Sequence, residues 1–258
     1  MAIAFALLVS ADPVTIGAFS LALRELSISP DICQEAAGAV RLLNHRKFDA
    51  VVIDLQLGQQ CGEILDGLNL SLSNRTAVTF AISSSDVGAT AAIRRRTAFV
   101  FGRPLSPRSI RNTLKPAYGL ILRERRRYFR CPISNPVIIL RSNMPEVRCR
   151  SVNISEGGMA VSVLVPLNAG EDVQVRFTLP GHKEPFLVNS TICWLKTGDC
   201  GVRFVSLPVE RESELQEWLS RRLEEEIPES VARQFQMAGK LSATVLAIES
   251  RIETLGTP

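Results

Sequence analysis

The chain has little of what metal and disulfide chemistry use. Its only histidines are His45 and His182, and its six cysteines, Cys33, Cys61, Cys131, Cys149, Cys193 and Cys200, include no C-x-x-C pair. A zinc site is therefore not expected. Most of these thiols sit in apolar or strand-like runs, where cysteine behaves as a small core residue, reduced in a cytosolic setting. No apolar run approaches membrane-spanning length. The opening Met1–Val9 stretch is apolar but lacks the basic n-region of a signal peptide, and Ser10-Ala11-Asp12-Pro13 reads as a strand-to-helix loop. There is no P-loop, no Ser-His-Asp set and no carboxylate pair arranged for acid–base work. A cytoplasmic binding module without cofactor or catalytic residues is the expectation, not an enzyme.

Acid is scarce in one region. From Arg103 to Arg130 the single acidic residue is Glu124, set against Arg103, Arg108, Arg111, Lys115, Arg123 and the run Arg125-Arg126-Arg127. That is a local field that attracts anions. The net charge of +4 over 258 residues does not itself demand nucleic acid. With 46% hydrophobic and 22% charged residues, the chain can bury a core, and its length suits two ordinary domains.

The first half alternates strand-like and helical runs. Ala4–Val9 is continuously apolar, as in a strand buried on both faces. Asp12 then Pro13 is an N-cap followed by a first-turn proline. A short strand near Ile32 and Cys33, a helix over Ala36–Asn44 and a buried strand over Phe48–Asp54 follow. Helix is then expected over Ile64–Leu72, strand over Ala77–Ile82, helix over Val87–Ile93 and strand over Ala98–Phe101. Ser106 caps a last helix, open to a kink at Pro116, that runs to about Leu122 or directly on into the Arg125-Arg126-Arg127 run. Such alternation predicts an α/β doubly wound parallel sheet.

With Asp54 closing its third strand and Phe101-Gly102-Arg103-Pro104 after its fifth, residues 1–118 resemble a response-regulator receiver domain, a flavodoxin-like fold. The resemblance implies acidic residues just after the first strand, which hold magnesium beside the phosphoacceptor, and a lysine before the proline. Here Ser10 and Ala11 stand in the acidic places, only the displaced Asp12 remains, and the lysine position is Arg103. Ser83 can stand for the hydroxyl residue after the fourth strand. Asp54 without two acidic partners should hold magnesium poorly. The expectation is a degenerate receiver with Asp54 as a vestigial phosphoacceptor, a solvated acid at a strand end. Such a domain would be kept as an interaction or homodimer surface.

From Arg130 onward the pattern changes to short strands: Ile133–Leu140, Val147–Ile154, Met159–Val165, Val173–Leu179, Phe186–Trp194 and Gly201–Val205, with a Pro180-Gly181 turn. This spacing suggests a small closed antiparallel barrel. At its mouth Arg126 and Arg130 form an R-x-x-x-R pair, and Asn153, Ser155 and Gly158 form N-x-S-x-x-G one hairpin later. Both halves in this order resemble the PilZ family, over about residues 123–226. The resemblance implies a six-stranded β-barrel and binding of the bacterial second messenger cyclic di-GMP. It implies ligand contacts at Arg125, Arg126, Arg130, Asn153, Ser155 and Gly158, with asparagine standing where many members carry aspartate. Arginine suits such a ligand: its fork pairs with phosphate and also reaches guanine O6 and N7. Arg127 lies outside the motif and reads as a solvated linker residue.

Domains are expected at 1–118, 119–227 with the arginine motif, and 228–258. A helix over Glu212–Ile227 carries Leu215, Trp218, Leu219 and Leu223 on one face and ends at Pro228. The tail has an apolar stripe, Leu241, Val245, Ile248, Ile252 and Leu255, that either lies back on the protein or joins a second copy. Four readings follow for the whole. The first is a cyclic di-GMP effector coupled to an unidentified downstream protein partner. The alternative is a PilZ-fold adaptor that works through protein contacts without the nucleotide. Nonspecific nucleic-acid binding and a phosphorylation-controlled regulator are the other two.

Overall fold

Asp12 shows how local chemistry starts an element. Its carboxylate accepts from the backbone N–H of Val14 and Thr15 and from the Thr15 hydroxyl at 2.5 Å, so it caps a helix whose first residue is Pro13. Those bonds, the Thr15 hydroxyl foremost, hold the Asp12 carboxyl below its ordinary value. At the other end of the same half, Ser106 and Ser109 exchange backbone-to-hydroxyl bonds of 3.0 Å, a reciprocal cap.

The computed structural model describes residues 2–83, 96–142 and 144–234. They fall into two compact units: residues up to Arg125 together with those from Ile227 on, and Arg126–Glu226. The first unit runs β1 (Ala4–Val9), α1 (Pro13–Glu25), β2 (Ile28–Cys33), α2 (Ala36–His45), β3 (Ala50–Asp54), a 3-10 turn (Leu55–Leu57), α3 (Gln60–Leu70), β4 (Val78–Ser83), β5 (Phe99–Gly102) and α4 (Pro107–Tyr128). Its sheet is parallel with the order β2-β1-β3-β4-β5. This is the receiver-like, flavodoxin-like order, in which function gathers at the carboxyl ends of β1 and β3, where the winding reverses. β3 and β4 are buried along their whole length. The side chains of Leu7, Val9, Val51 and Ile53 pack with Leu43, Ile64 and Leu65 of α2 and α3. The expected helix over Val87–Ile93 and the tail stripe from Leu241 lie outside the described residues.

α4 extends beyond Leu122. It continues to Tyr128 with Pro116 inside it, so Arg125, Arg126 and Arg127 are helical and not a flexible linker. The expected boundary after residue 118 falls within this helix.

In the second unit come β6 (Cys131–Pro132), β7 (Pro136–Leu140), β8 (Val147–Ser155), β9 (Gly158–Ser162), β10 (Asp172–Phe177), β11 (Phe186–Lys196), β12 (Asp199–Ser206) and α5 (Val209–Glu225); α6 (Glu229–Gln234) follows in the first. The strands run β8-β7-β10-β11-β12-β9, and β9 returns to pair with β8, closing a six-stranded antiparallel barrel. The two-residue β6 adds to the free stretch of the β8 edge. Inward residues alternate along β10 and β11, and Phe177 stacks on Phe186 and Phe204 inside, with ring centroids 5.1 and 5.8 Å apart. Gly181, at φ 86°, makes the Pro180-Gly181 turn. α5 buries Leu215, Trp218, Leu219 and Leu223, and the Trp218 indole donates to the Pro180 carbonyl at 3.1 Å.

All six cysteines are free, and burial pushes the thiols of Cys61 and Cys200 up to about 11. Among the described residues no helix is long and apolar enough to cross a membrane.

Candidate functional site

At the carboxyl ends of β1 and β3, Asp54 is 1% exposed, not the solvated acid expected. Its Oδ2 accepts from the Ser10 hydroxyl at 2.7 Å and from Arg103 Nη2 at 2.8 Å, and its Oδ1 accepts from the Gln56 N–H at 3.2 Å. The same guanidinium donates to Thr15 Oγ1 and lies 3.5 Å from Asp12. Ser83 ends β4, and its carbonyl accepts from the Arg103 N–H. Magnesium needs several hard oxygens around it. Asp12 and Asp54 are the acids here and Arg103 already engages both, so this set does not fit the ion. Among the described residues no group of three or more His, Cys, Asp or Glu is placed to hold a metal.

The barrel unit builds a different kind of site. Antiparallel pairing sets Cys131 opposite Ile154 and Pro132 opposite Asn153. The same register brings Arg130, just before Cys131, beside Ser155. Ser155 opens the two-residue turn Glu156-Gly157 and its hydroxyl donates to the Gly158 carbonyl at 3.1 Å. Gly158 is needed for close approach and not for a positive φ: a Cβ there would stand 2.2 Å from the Val202 carbonyl oxygen. On the neighbouring strands, a Cβ on Gly201 would meet the Trp194 indole nitrogen at 1.9 Å, so the indole lies directly over that glycine. A register shift between Ile192 and Trp194 accompanies this.

These residues enclose a cleft of about 350 Å³ lined by Arg127, Arg130, Ser155, Gly157, Gly158, Met159, Cys193, Trp194, Gly201, Val202 and Arg203. Three arginines line it, and its described lining contains no carboxylate. A half-buried indole beside them offers a flat apolar face. That combination suits a planar, anionic ligand: forks for phosphate and a ring for a base to stack on. Two other clefts of this unit, of about 490 and 400 Å³, have mixed charge: Arg141 beside the first pairs with Glu171 at 2.5 Å, and Arg222 in the second pairs with Glu225 at 2.9 Å.

Of the expected ligand residues, Arg130, Ser155 and Gly158 line the cleft. Asn153 sits on β8 two positions from Ser155 and is not among the lining residues. Arg126 points elsewhere, its Nε on Glu156 Oε1 at 2.7 Å and its Nη1 on Ser220 Oγ at 2.9 Å. Arg125 belongs to the first unit, its guanidinium 5.5 Å from the Phe5 ring centroid and its buried Nε without a partner. Arg127, read as a linker residue, lines the cleft, and so do Trp194 and Arg203. Trp194 pairs with Gly201 across the antiparallel ladder of β11 and β12.

Fold and cleft together define a class: a β-barrel module with an arginine-lined cleft that follows a receiver-like unit. The family model for the PilZ domain matches residues 124–221, and the chain carries a PilZ domain there. No curated protein matches the chain. Similar solved structures include MotI/DgrA, the inhibitor of motility of Bacillus subtilis, at 19% identity and TM-score 0.35, with 38% of this chain and 51% of that one covered. The chain thus spans about half the length of MotI. YcgR of Escherichia coli, in complex with c-di-GMP, matches at 19% identity and TM-score 0.33, covering 38% and 44%. A CheY-like receiver domain of Methylobacillus flagellatus matches at 23% identity and TM-score 0.39, covering 46% and 98%.

Proposed function

We propose that the protein is a cytoplasmic cyclic di-GMP effector whose ligand sits in the cleft beside the Ser155–Gly158 turn. The observation that carries this is the pairing of β6 with β8, which sets Arg130 against Ser155 and opens a cleft of arginines around one indole. The ligand's two phosphates would pair with Arg127, Arg130 and Arg203, and a guanine would stack on Trp194. Asn153 and Arg126 belong to the motif but stand outside the cleft as it is formed here. The module binds and does not catalyse; its output passes to a protein partner, with the receiver-like unit as an interaction surface.

Calorimetric titration of the full chain with cyclic di-GMP, with GTP as control, tests the reading. Arg127→Ala and Arg130→Ala should each weaken binding by roughly 10- to 100-fold, the scale of losing hydrogen bonds to a charged group. Arg125→Ala should leave affinity within about twofold, since exposed or remote charges contribute little. Absence of heat well above micromolar ligand would replace the effector reading by that of an adaptor acting through protein contacts.

A further inference from the structure

Arg126 is the motif arginine that the cleft does not contain, although its neighbour Arg127 does line it. Its guanidinium is already engaged on two sides. Nε donates to Glu156 at 2.7 Å, and Nη1 donates to Ser220 on α5 at 2.9 Å. Both ends of the ion pair are largely covered, with 24% of the Arg126 and 19% of the Glu156 side chain exposed. Ser220 is itself held, donating to the Gln216 carbonyl at 2.8 Å, which leaves its oxygen to accept from Arg126.

Glu156 is not remote from the ligand site. It lies between Ser155 and Gly157, and both of those line the cleft. A carboxylate on the Nε edge of a guanidinium uses the same directional donors that a phosphate would use. We infer that Glu156 is an internal counter-anion that holds Arg126 out of the cleft, and that a phosphate of the bound dinucleotide takes its place. The inference rests on the reading of the cleft as a cyclic dinucleotide site. Its consequence is that affinity is set by an exchange of anions on Arg126. The ligand gains only the difference between its own pairing and that of Glu156, and the released carboxylate stands near the incoming charge.

Glu156→Gln in the full chain tests this by calorimetric titration with cyclic di-GMP. Glutamine keeps the size and an acceptor oxygen, and removes only the charge. Binding should tighten by roughly 2- to 5-fold, the scale of a partly exposed pair. The gain should disappear in an Arg126→Ala background, because it acts through that residue. A purely structural role for Glu156 predicts the opposite sign. Wild-type binding with an equal or weaker Glu156→Gln variant overturns the inference and leaves the dinucleotide site standing. A gain that persists fully without Arg126 also overturns it. Binding by Glu156→Gln but not by wild type supports both. Silence from both proteins overturns both. If Glu156→Gln does not fold, Ser220→Ala takes over the test: removing the second hold should tighten binding by roughly twofold, and unchanged or weaker binding refutes the exchange.

Discussion

Replacing Arg103 with methionine should damage the receiver-like unit more than replacing the aspartate it faces. Asp54 is 1% exposed, and without Arg103 its carboxylate keeps only the Ser10 hydroxyl and the Gln56 N–H. Truncating one partner of a buried ion pair costs about 3–5 kcal/mol. Arg103 retains 20% side-chain exposure, so water reaches part of the pair and the cost falls to about 2–4 kcal/mol. Asp54→Asn keeps an acceptor oxygen for the Gln56 N–H and can turn its amide N–H to the Ser10 oxygen, and Arg103 still has Thr15 and Asp12; that change should cost about 1 kcal/mol. The double variant buries neither charge, so the two costs should not add, with a coupling of about 1–2 kcal/mol. Urea unfolding followed by far-UV circular dichroism measures each step. Both tryptophans, Trp194 and Trp218, lie in the barrel unit, so their fluorescence reads that unit separately. Additive costs, or less than about 0.5 kcal/mol for Arg103→Met, would refute the ion pair as the replacement for a metal-dependent site.

Two further outcomes follow from buried groups. Burial pushes the Asp49 carboxyl from 3.8 to about 6, against the Phe5 N–H it accepts at 2.9 Å and the nearby Lys47 and Arg125 charges. A carboxyl raised in the folded state stabilises it when protonated. The contribution of Asp49 to stability should therefore fall by up to about 3 kcal/mol as pH rises from about 4 through about 6, then level off, and Asp49→Asn should remove that contribution from a pH series of urea midpoints. Gly201→Ala should force the Trp194 indole off its seat, because the new Cβ would overlap the ring at 1.9 Å. The barrel should lose about 1–3 kcal/mol, Trp194 fluorescence should shift, and cyclic di-GMP binding should weaken by roughly tenfold, the scale of one stacked base.

Elements whose signals are local were legible in the sequence. The apolar run of β1, the Asp12-Pro13 cap and the alternation along β10 each depend on neighbours a few residues away, and each formed where expected. The acidic gap at Ser10 and Ala11 was legible as well. What fills it was not, because Arg103 reaches Asp54 only through the fold, from 49 residues away. Trp194 over Gly201 was hidden for a related reason: a register shift at Cys193 decides which residues meet across the ladder.

Where the last helix of the first unit ends decides how the arginine run is displayed. Ending the helix near Leu122 leaves Arg125, Arg126 and Arg127 as a linker, in which the R-x-x-x-R spacing alone selects the ligand residues. The helix instead continues to Tyr128. On a helix, successive side chains turn by about 100°, so three consecutive arginines cannot serve one target. Arg125 lies over Phe5, Arg126 is bonded to Glu156 and Ser220, and Arg127 lines the cleft. Arg130, two residues past the end of the helix, lines the same cleft as Arg127, and there β6 takes over the register. The cleft is thus lined by Arg127 and Arg130, while Arg126, the first arginine of the motif, is paired with Glu156. On the proposed reading, whether Arg126 joins Arg130 on a bound phosphate depends on whether that phosphate displaces the Glu156 carboxylate.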